Sequence, residues 1–232
     1  MASSFLPVLD ARLSLAYDLY LPSELAADIG TDHAHLPAAL LQRGRCQRMI
    51  LTDISPSALE NARREICRWN LSGRVDFRLG DGLMPISEPC RVISVTGMGG
   101  RTIREMLLAG RDRLQGAALI LSAHTDWFLI RQTAMDIGYH LDAEEPCFCA
   151  GRYYLVLRAM PGAETLTGRQ LRLGGPLFQS SSAALLPFLK RRRQILAVHL
   201  NGLRSAAAPD HETAEQLSDD IAFLDSFISK RR

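Results

Sequence analysis

The stretch that most constrains the fold of this chain is Ala27-Asp28-Ile29-Gly30-Thr31-Asp32-His33-Ala34-His35-Leu36-Pro37. Apolar Leu25-Ala26-Ala27 leads into it and Ala38-Ala39-Leu40-Leu41 follows, so it reads as a tight turn from a buried strand into a helix. Gly30 allows a sharp bend and leaves amide N–H groups open near the helix start. In doubly wound sheets the crevice outside the carboxyl end of such a strand is where ligands bind. An ordinary strand-to-helix turn is the competing reading, because one glycine alone is a weak signal.

The side chains of the turn narrow the ligand. A dinucleotide requires G-x-G-x-x-G for close approach of its pyrophosphate, whereas here Gly30 stands between Asp28 and Asp32. Two carboxylates repel a pyrophosphate and suit a cationic, amino-bearing ligand. S-adenosylmethionine, a sulfonium with an α-amino group, meets that demand.

The remainder of the chain is read as repeated β/α units. Val8 to Leu19 carries apolar residues at near-helical spacing and Pro22-Ser23 breaks it. Met49-Ile50-Leu51-Thr52 is a strand ending at Asp53, and Ser55-Pro56 caps the helix that follows. Asp53 lies 25 residues after Asp28, where a βαβ unit sets an acid against two ribose hydroxyls. A helix cap is the alternative role for such an Asp. Arg74 to Leu79 alternates as a strand and runs into Gly80-Asp81-Gly82, a turn from which a carboxylate can accept from an adenine amino group. Arg91 to Thr96 is a buried strand entering Gly97-Met98-Gly99-Gly100, a glycine density that favours close backbone approach to a ligand. Helices are expected over 101–108 and 127–137, strands over 117–121, 139–141 and 153–157, with the final pair antiparallel. The expected fold is a Rossmann-like α/β domain with a seven-stranded, mostly parallel sheet over residues 1–160. Residues 161–232 form an appendage. Leu185, Leu189, Leu196 and Leu203 make one helical stripe, and Leu217, Ile221, Leu224 and Ile228 make another. The two predict an antiparallel hairpin turning at Ala206 to Asp210.

Composition adds limits. The five cysteines are odd in number and scattered, which argues against a disulfide framework, and Cys147-x-Cys149 reads as packing. No apolar run approaches the roughly 20 residues that span a bilayer, and Met1 to Pro7 lacks a basic leader, so a cytoplasmic protein is expected. No metal-ligand spacing stands out. Net charge is only +2, yet Lys190-Arg191-Arg192-Arg193 and Lys230-Arg231-Arg232 concentrate cations near one end, as a phosphate-backbone contact would. A solvated helix face is the plainer alternative.

Taken together, these motifs resemble the bacterial tRNA adenine-22 N1-methyltransferases. The family's A-D-I-G-[TS]-D-H-A-Y-L-P is matched by Ala27 to Pro37 with His35 for Tyr, and its G-D-G-L by Gly80 to Leu83. Its A-G-M-G-G is matched by Thr96 to Gly100 with Thr for Ala, its L-x-x-R-L by Leu9 to Leu13, and its G-P-x-L element resembles Gly175-Pro176-Leu177-Phe178. The resemblance implies a class I methyltransferase fold, S-adenosylmethionine as cofactor and tRNA as partner. It implies a cofactor site of Arg12, Asp28, Gly30, Thr31, Asp32, His33, Asp53, Ile54, Gly80, Asp81, Gly82, Gly97, Met98 and Gly99. Within it Arg12 meets the methionine carboxylate, Asp53 the ribose and Asp81 the adenine. Asp32, Met98 and Asp126 are the candidate catalytic groups, with His33 and His124 weaker ones. Lys190 to Arg193 is the candidate RNA contact. One departure stands at the acceptor side: Ser122-Ala123-His124 replaces the family's Q-P-N. Methylation of another RNA base therefore stays open, as does a module that binds cofactor and RNA without turnover.

Overall fold

The computed structural model describes residues 7–123, 125–205 and 210–231. The expected turn at 206–210 falls almost wholly outside the described residues, as do His124 and Arg232. In chain order the elements of the first part are α1 (Ala11–Leu19), β1 (Ser23–Ile29), α2 (His35–Gln42), β2 (Cys46–Asp53), α3 (Pro56–Arg68) and β3 (Val75–Leu79). There follow β4 (Val92–Met98), α4 (Gly100–Ala109), β5 (Ala118–Ala123), α5 (Trp127–Asp136), β6 (Tyr139–Cys149) and β7 (Arg152–Pro161). The chain then forms α6 (Gly168–Leu173), α7 (Leu185–Arg204) and α8 (His211–Ser229).

The sheet order is β3-β2-β1-β4-β5-β7-β6. The first five strands of that order are parallel, and β7 runs antiparallel to both neighbours. The order reverses between β1 and β4, so a crevice opens at their carboxyl ends. Strands buried on both faces need apolar residues at successive positions, and all six residues of β5 are buried. Alternation divides them between two cores. Ala118 and Ile120 join α1, α2 and α3 on one face. Leu119 and Leu121 join α4 and α5 on the other.

Boundaries differ from expectation for local reasons. The first helix starts at Ala11 rather than Val8 because the Asp10 carboxylate accepts the Leu13 amide at 2.7 Å and caps it. The strands closing the sheet are longer than the apolar runs suggested. Ala150 and Gly151, with φ of 47° and 79°, form the two-residue hairpin turn between them. Pro146 and the acidic run Asp142-Ala143-Glu144-Glu145 disguise β6, an edge strand with an irregularity between Leu141 and Ala143.

The connection after Pro161 is more ordered than its composition implied. Thr167 and Gln170 form a capping box for α6. Just beyond it, the chain wraps a buried ion pair. Arg131 of α5 donates to Glu144 of β6 at 2.7 Å, and both are almost wholly buried. Glu144 also accepts from the Gly175 and Leu177 amides, while Arg131 donates to the carbonyl of Leu171. Gly174, at φ 103°, cannot carry a side chain here, because a Cβ would lie 2.7 Å from Glu144 Oε2. The hairpin is antiparallel, with Arg193 of α7 paired to Asp225 of α8 and Arg204 bonded to Ser218. Its inner residues Leu189, Leu196, Leu217 and Leu224 continue the α4/α5 core without a break.

Candidate active site

The turn after β1 is stitched to its neighbours by backbone bonds. The Gly30 and Thr31 amides both donate to Thr52 O of β2, and the Gly80 amide donates to Asp53 O. This brings the ends of β1, β2 and β3 to one edge of the sheet. Gly30 turns the chain at φ 73°, a conformation that glycine adopts without penalty. The Met98 side chain lies across it, so that a Cβ on Gly30 would meet Met98 Cε.

Below the turn sits Asp28, which is buried. Its carboxylate accepts from Ser94 Oγ and Thr31 Oγ1, each at 2.5 Å, and Tyr20 OH lies 3.2 Å from Ser94 Oγ. Burial pushes the Asp28 pKa up to about 6, although both hydroxyls and the charge of Arg12 pull it down. The same burial, with Asp28 beside it, raises Tyr20 far above the usual phenol range. Sequence reasoning missed Tyr20 and Ser94. Ser94 did leave a signal, as the lone hydroxyl in the apolar run Val92-Ile93-Ser94-Val95.

Arg12 reaches the same place from α1. Its Cζ lies 5.7 Å from the centre of the Tyr154 ring, and a Cβ on Gly97 would lie 3.7 Å from its Nη1. Nη1 is buried with no hydrogen-bond partner, while Nη2 lies 3.8 Å from Asp10 Oδ2; buried polar atoms are usually paired, so an unpaired one on a residue that lines a cavity is suited to a ligand. Arg12, Asp28, Gly30, Thr31, Asp32, His33 and Gly97 line one cavity of about 240 Å³.

The other expected residues spread along the carboxyl edge. Asp53 uses one oxygen to accept the Ser55 amide at 2.8 Å, so the cap reading and the ribose reading share this carboxylate. Ile54 beside it is 72% exposed, an open apolar surface. Asp81 is exposed and lines a separate cavity with Gly82 and Met106. Asp32 faces outward, accepting from Asn61 of α3 at 3.0 Å and lying 3.3 Å from His33 Nε2. The His33 and His35 rings stack at 5.7 Å. Asp126, at φ 61°, opens α5 and accepts from Thr125 Oγ1. Its loop packs so closely on Gly100 that a Cβ there would lie 2.8 Å from Thr125 O. Ser122 and Ala123 are buried in β5, which absorbs part of the departure from the family pattern into the sheet.

The basic run of α7 is separate from this crevice and is not one face. Four successive residues pass around a whole helical turn. Lys190 and Arg191 are exposed, Arg193 is bonded to Asp225, and Arg192 is turned partly inward, where burial and Arg131 lower its pKa. No group of three or more His, Cys, Asp or Glu side chains among the described residues is arranged to hold a metal ion. No helix among them is long and apolar enough to cross a membrane.

A switch-point crevice with one glycine turn, acids at successive strand ends and an antiparallel seventh strand defines a class I methyltransferase. The comparisons give the particular family. Residues 26–226 match the model of the tRNA (adenine(22)-N(1))-methyltransferases. The tRNA (adenine(22)-N(1))-methyltransferase of Bacillus subtilis strain 168 is 32% identical over 213 residues, covering 88% of each chain. A crystal structure of the B. subtilis m1A22 tRNA methyltransferase superposes with a TM-score of 0.83 and 26% identity, covering 96% of this chain and 99% of that one. A Streptococcus pneumoniae protein described as a putative tRNA (m1A22) methyltransferase, solved with S-adenosylmethionine, gives 0.81 and 25%, covering 95% and 100%. The chain belongs to the tRNA (adenine(22)-N(1))-methyltransferase family.

Proposed function

We propose that this protein moves a methyl group from S-adenosylmethionine to N1 of adenine 22 in tRNA, with the crevice between β1 and β4 as its active site. The observation that carries this reading is the buried, partnerless Arg12 Nη1 beside the Asp28 carboxylate. An α-amino acid end supplies a carboxylate for Arg12 Nη1, whose sister Nη2 lies 3.8 Å from Asp10 Oδ2, and an ammonium for Asp28. Asp53 has a second oxygen for the ribose, Ile54 offers an apolar surface to the adenine, and Asp81 an acceptor for its amine. When bound, the cofactor supplies an electrophilic methyl on a sulfonium.

The task left to the chain is positioning. Adenine N1 carries its own lone pair, so no strong base is required; the base must be brought out of its stack and aligned. Met98 and the Gly97 to Gly100 backbone shape the floor for that base, and the close packing of Thr125 and Asp126 on Gly100 fixes its wall. Methylated N1 is cationic, and the exposed Asp126 carboxylate favours the charge that develops there. Asp32, engaged with Asn61, acts on the cofactor side.

The test is incubation with labelled S-adenosylmethionine and unmodified tRNA, followed by mapping of the labelled nucleotide. Label at N1 of adenine 22 is expected. Label on another base moves the acceptor assignment, and binding of both ligands without transfer identifies a non-catalytic module.

A further inference from the structure

A further cavity, of about 390 Å³, lies outside the crevice and has no role in the reaction described above. It is walled by rings. Trp127 packs on Phe188 at 5.3 Å, Phe188 meets Tyr153 edge-on at 5.8 Å, and Tyr153 tilts against Phe148 at 4.9 Å. Phe148 is 56% exposed and Ile195 45%, an unusual amount of apolar surface for solvent to cover. Arg152, Arg191 and Arg192 complete the lining, and no acidic side chain belongs to it. Aromatic faces rimmed by guanidinium groups of one sign suit a ligand with a flat π-face and an anionic backbone. The volume falls in the range of small-ligand pockets, about 300–1,000 Å³.

Its position in the fold selects the ligand further. Because β7 is antiparallel to β5, with Leu155 opposite Ala123, the start of β7 lies at the carboxyl edge of the sheet. Arg152 and Tyr153 therefore stand at the same edge as the crevice. Trp127 is the residue after Asp126, and its indole N–H donates to Ala123 O at 3.1 Å. The exposed Arg191 belongs to the basic run of α7.

We infer that this cavity is a second nucleotide subsite, which takes an unstacked tRNA base other than the methylated adenine, with Arg152 and Arg191 on its phosphates. The inference rests on tRNA being the substrate. It assigns Phe148 and Arg191 to substrate binding and leaves the methyl-transfer step to the crevice.

The experiment compares wild type with Phe148→Ala, Phe148→Trp and Arg191→Ala, measuring methylation kinetics on unmodified tRNA and cofactor binding by calorimetry. Loss of one stacked base is expected to raise the KM for tRNA about tenfold in Phe148→Ala. A similar rise is expected for Arg191→Ala, with kcat and cofactor Kd near wild type and Phe148→Trp rescued. Trp127 emission, read in a Trp69→Phe background, is expected to be quenched by tRNA, and the quench to be lost in Phe148→Ala. Unchanged KM and unchanged quenching in the alanine variants overturn the inference. So does a change in sedimentation on mutation with KM intact, which makes the patch a contact between copies. Wild-type protein that methylates no tRNA overturns the proposed function instead, and the tRNA quench of Trp127 then decides on the cavity alone.

Discussion

Two groups of buried charge are treated in opposite ways by this fold. Where the hairpin meets the sheet, Arg131 and Glu144 satisfy each other and the backbone of residues 171–177. At the crevice, Asp28 is held by two hydroxyls only and titrates near 6, while Arg12 keeps a buried N–H without a partner. Desolvation penalises both groups. The first recovers that penalty within the chain; the second leaves it to be recovered by a ligand. Burial of a charge is thus no mark of a functional site; what sets Arg12 apart is that its unpaired Nη1 belongs to a residue lining the crevice, whereas Arg45, whose Nε is likewise unpaired, does not line it.

The largest effect that tests this contrast is at the junction. Glu144→Ala strands a guanidinium that is 2% exposed and removes the acceptor for two amides. It should lower stability by about 3–5 kcal/mol in urea unfolding. A loss below about 1 kcal/mol would show that the junction is not saturated. Arg12→Ala should do the reverse. Its Nη1 has no partner and its Nη2 makes only a long pair with Asp10 at 3.8 Å, so the melting temperature of the ligand-free protein should change little. Loss of a charged hydrogen bond worth about 1.5–3 kcal/mol should weaken S-adenosylmethionine about 10- to 100-fold in calorimetry. If Arg12→Ala melts early with normal cofactor affinity, its role is packing against Tyr154.

Asp28 sharpens the contrast through pH. Its folded pKa, about 6, is raised above the ordinary 3.8, so the folded state holds a proton that the unfolded state has lost between those values. The stability it contributes is full below about 3.8 and disappears as pH rises through about 6. The cationic cofactor favours the carboxylate, so its Kd should begin to rise as pH falls below about 6. Asp28→Asn should abolish that pH dependence, weaken the cofactor, and stabilise the ligand-free protein at pH 8. A cofactor Kd that stays flat from pH 8 to 5 would remove Asp28 from the binding site.

How much of this was legible in the sequence follows from how local each signal is. The turn at Gly30, the acids ending β1, β2 and β3, and the strand order rest on short patterns, and the motif string identified the family. What escaped depends on partners far apart in sequence. Tyr20, Ser94 and Asp28 span 74 residues between Tyr20 and Ser94, and Glu144 is read correctly only with Arg131 and Gly175 beside it. The acids of β6 look like a loop for the same reason. Phe148, Tyr153 and Phe188 come from two strands and a helix, so no single window displays the aromatic cavity.

The basic run of α7 is where one-dimensional reading is least adequate, and it yields the smallest predicted effect. Lys190 to Arg193 looks like four equivalent cations, yet Arg193 is neutralised locally by Asp225 at 3.0 Å and Arg192 is turned toward Asp220 and Arg131. Only the exposed Lys190 and Arg191 are free to release counterions from a phosphate backbone. Replacing both by Ala should reduce the slope of log Kd for tRNA against log salt by about 0.7–0.9 for each phosphate that is no longer neutralised. Arg193→Ala should leave that slope near the wild-type value, with little change in melting temperature because exposed pairs contribute little. Equal slopes for Arg191→Ala and Arg193→Ala would mean that the Asp225 pair opens on binding, and the whole run would then act as one cationic surface.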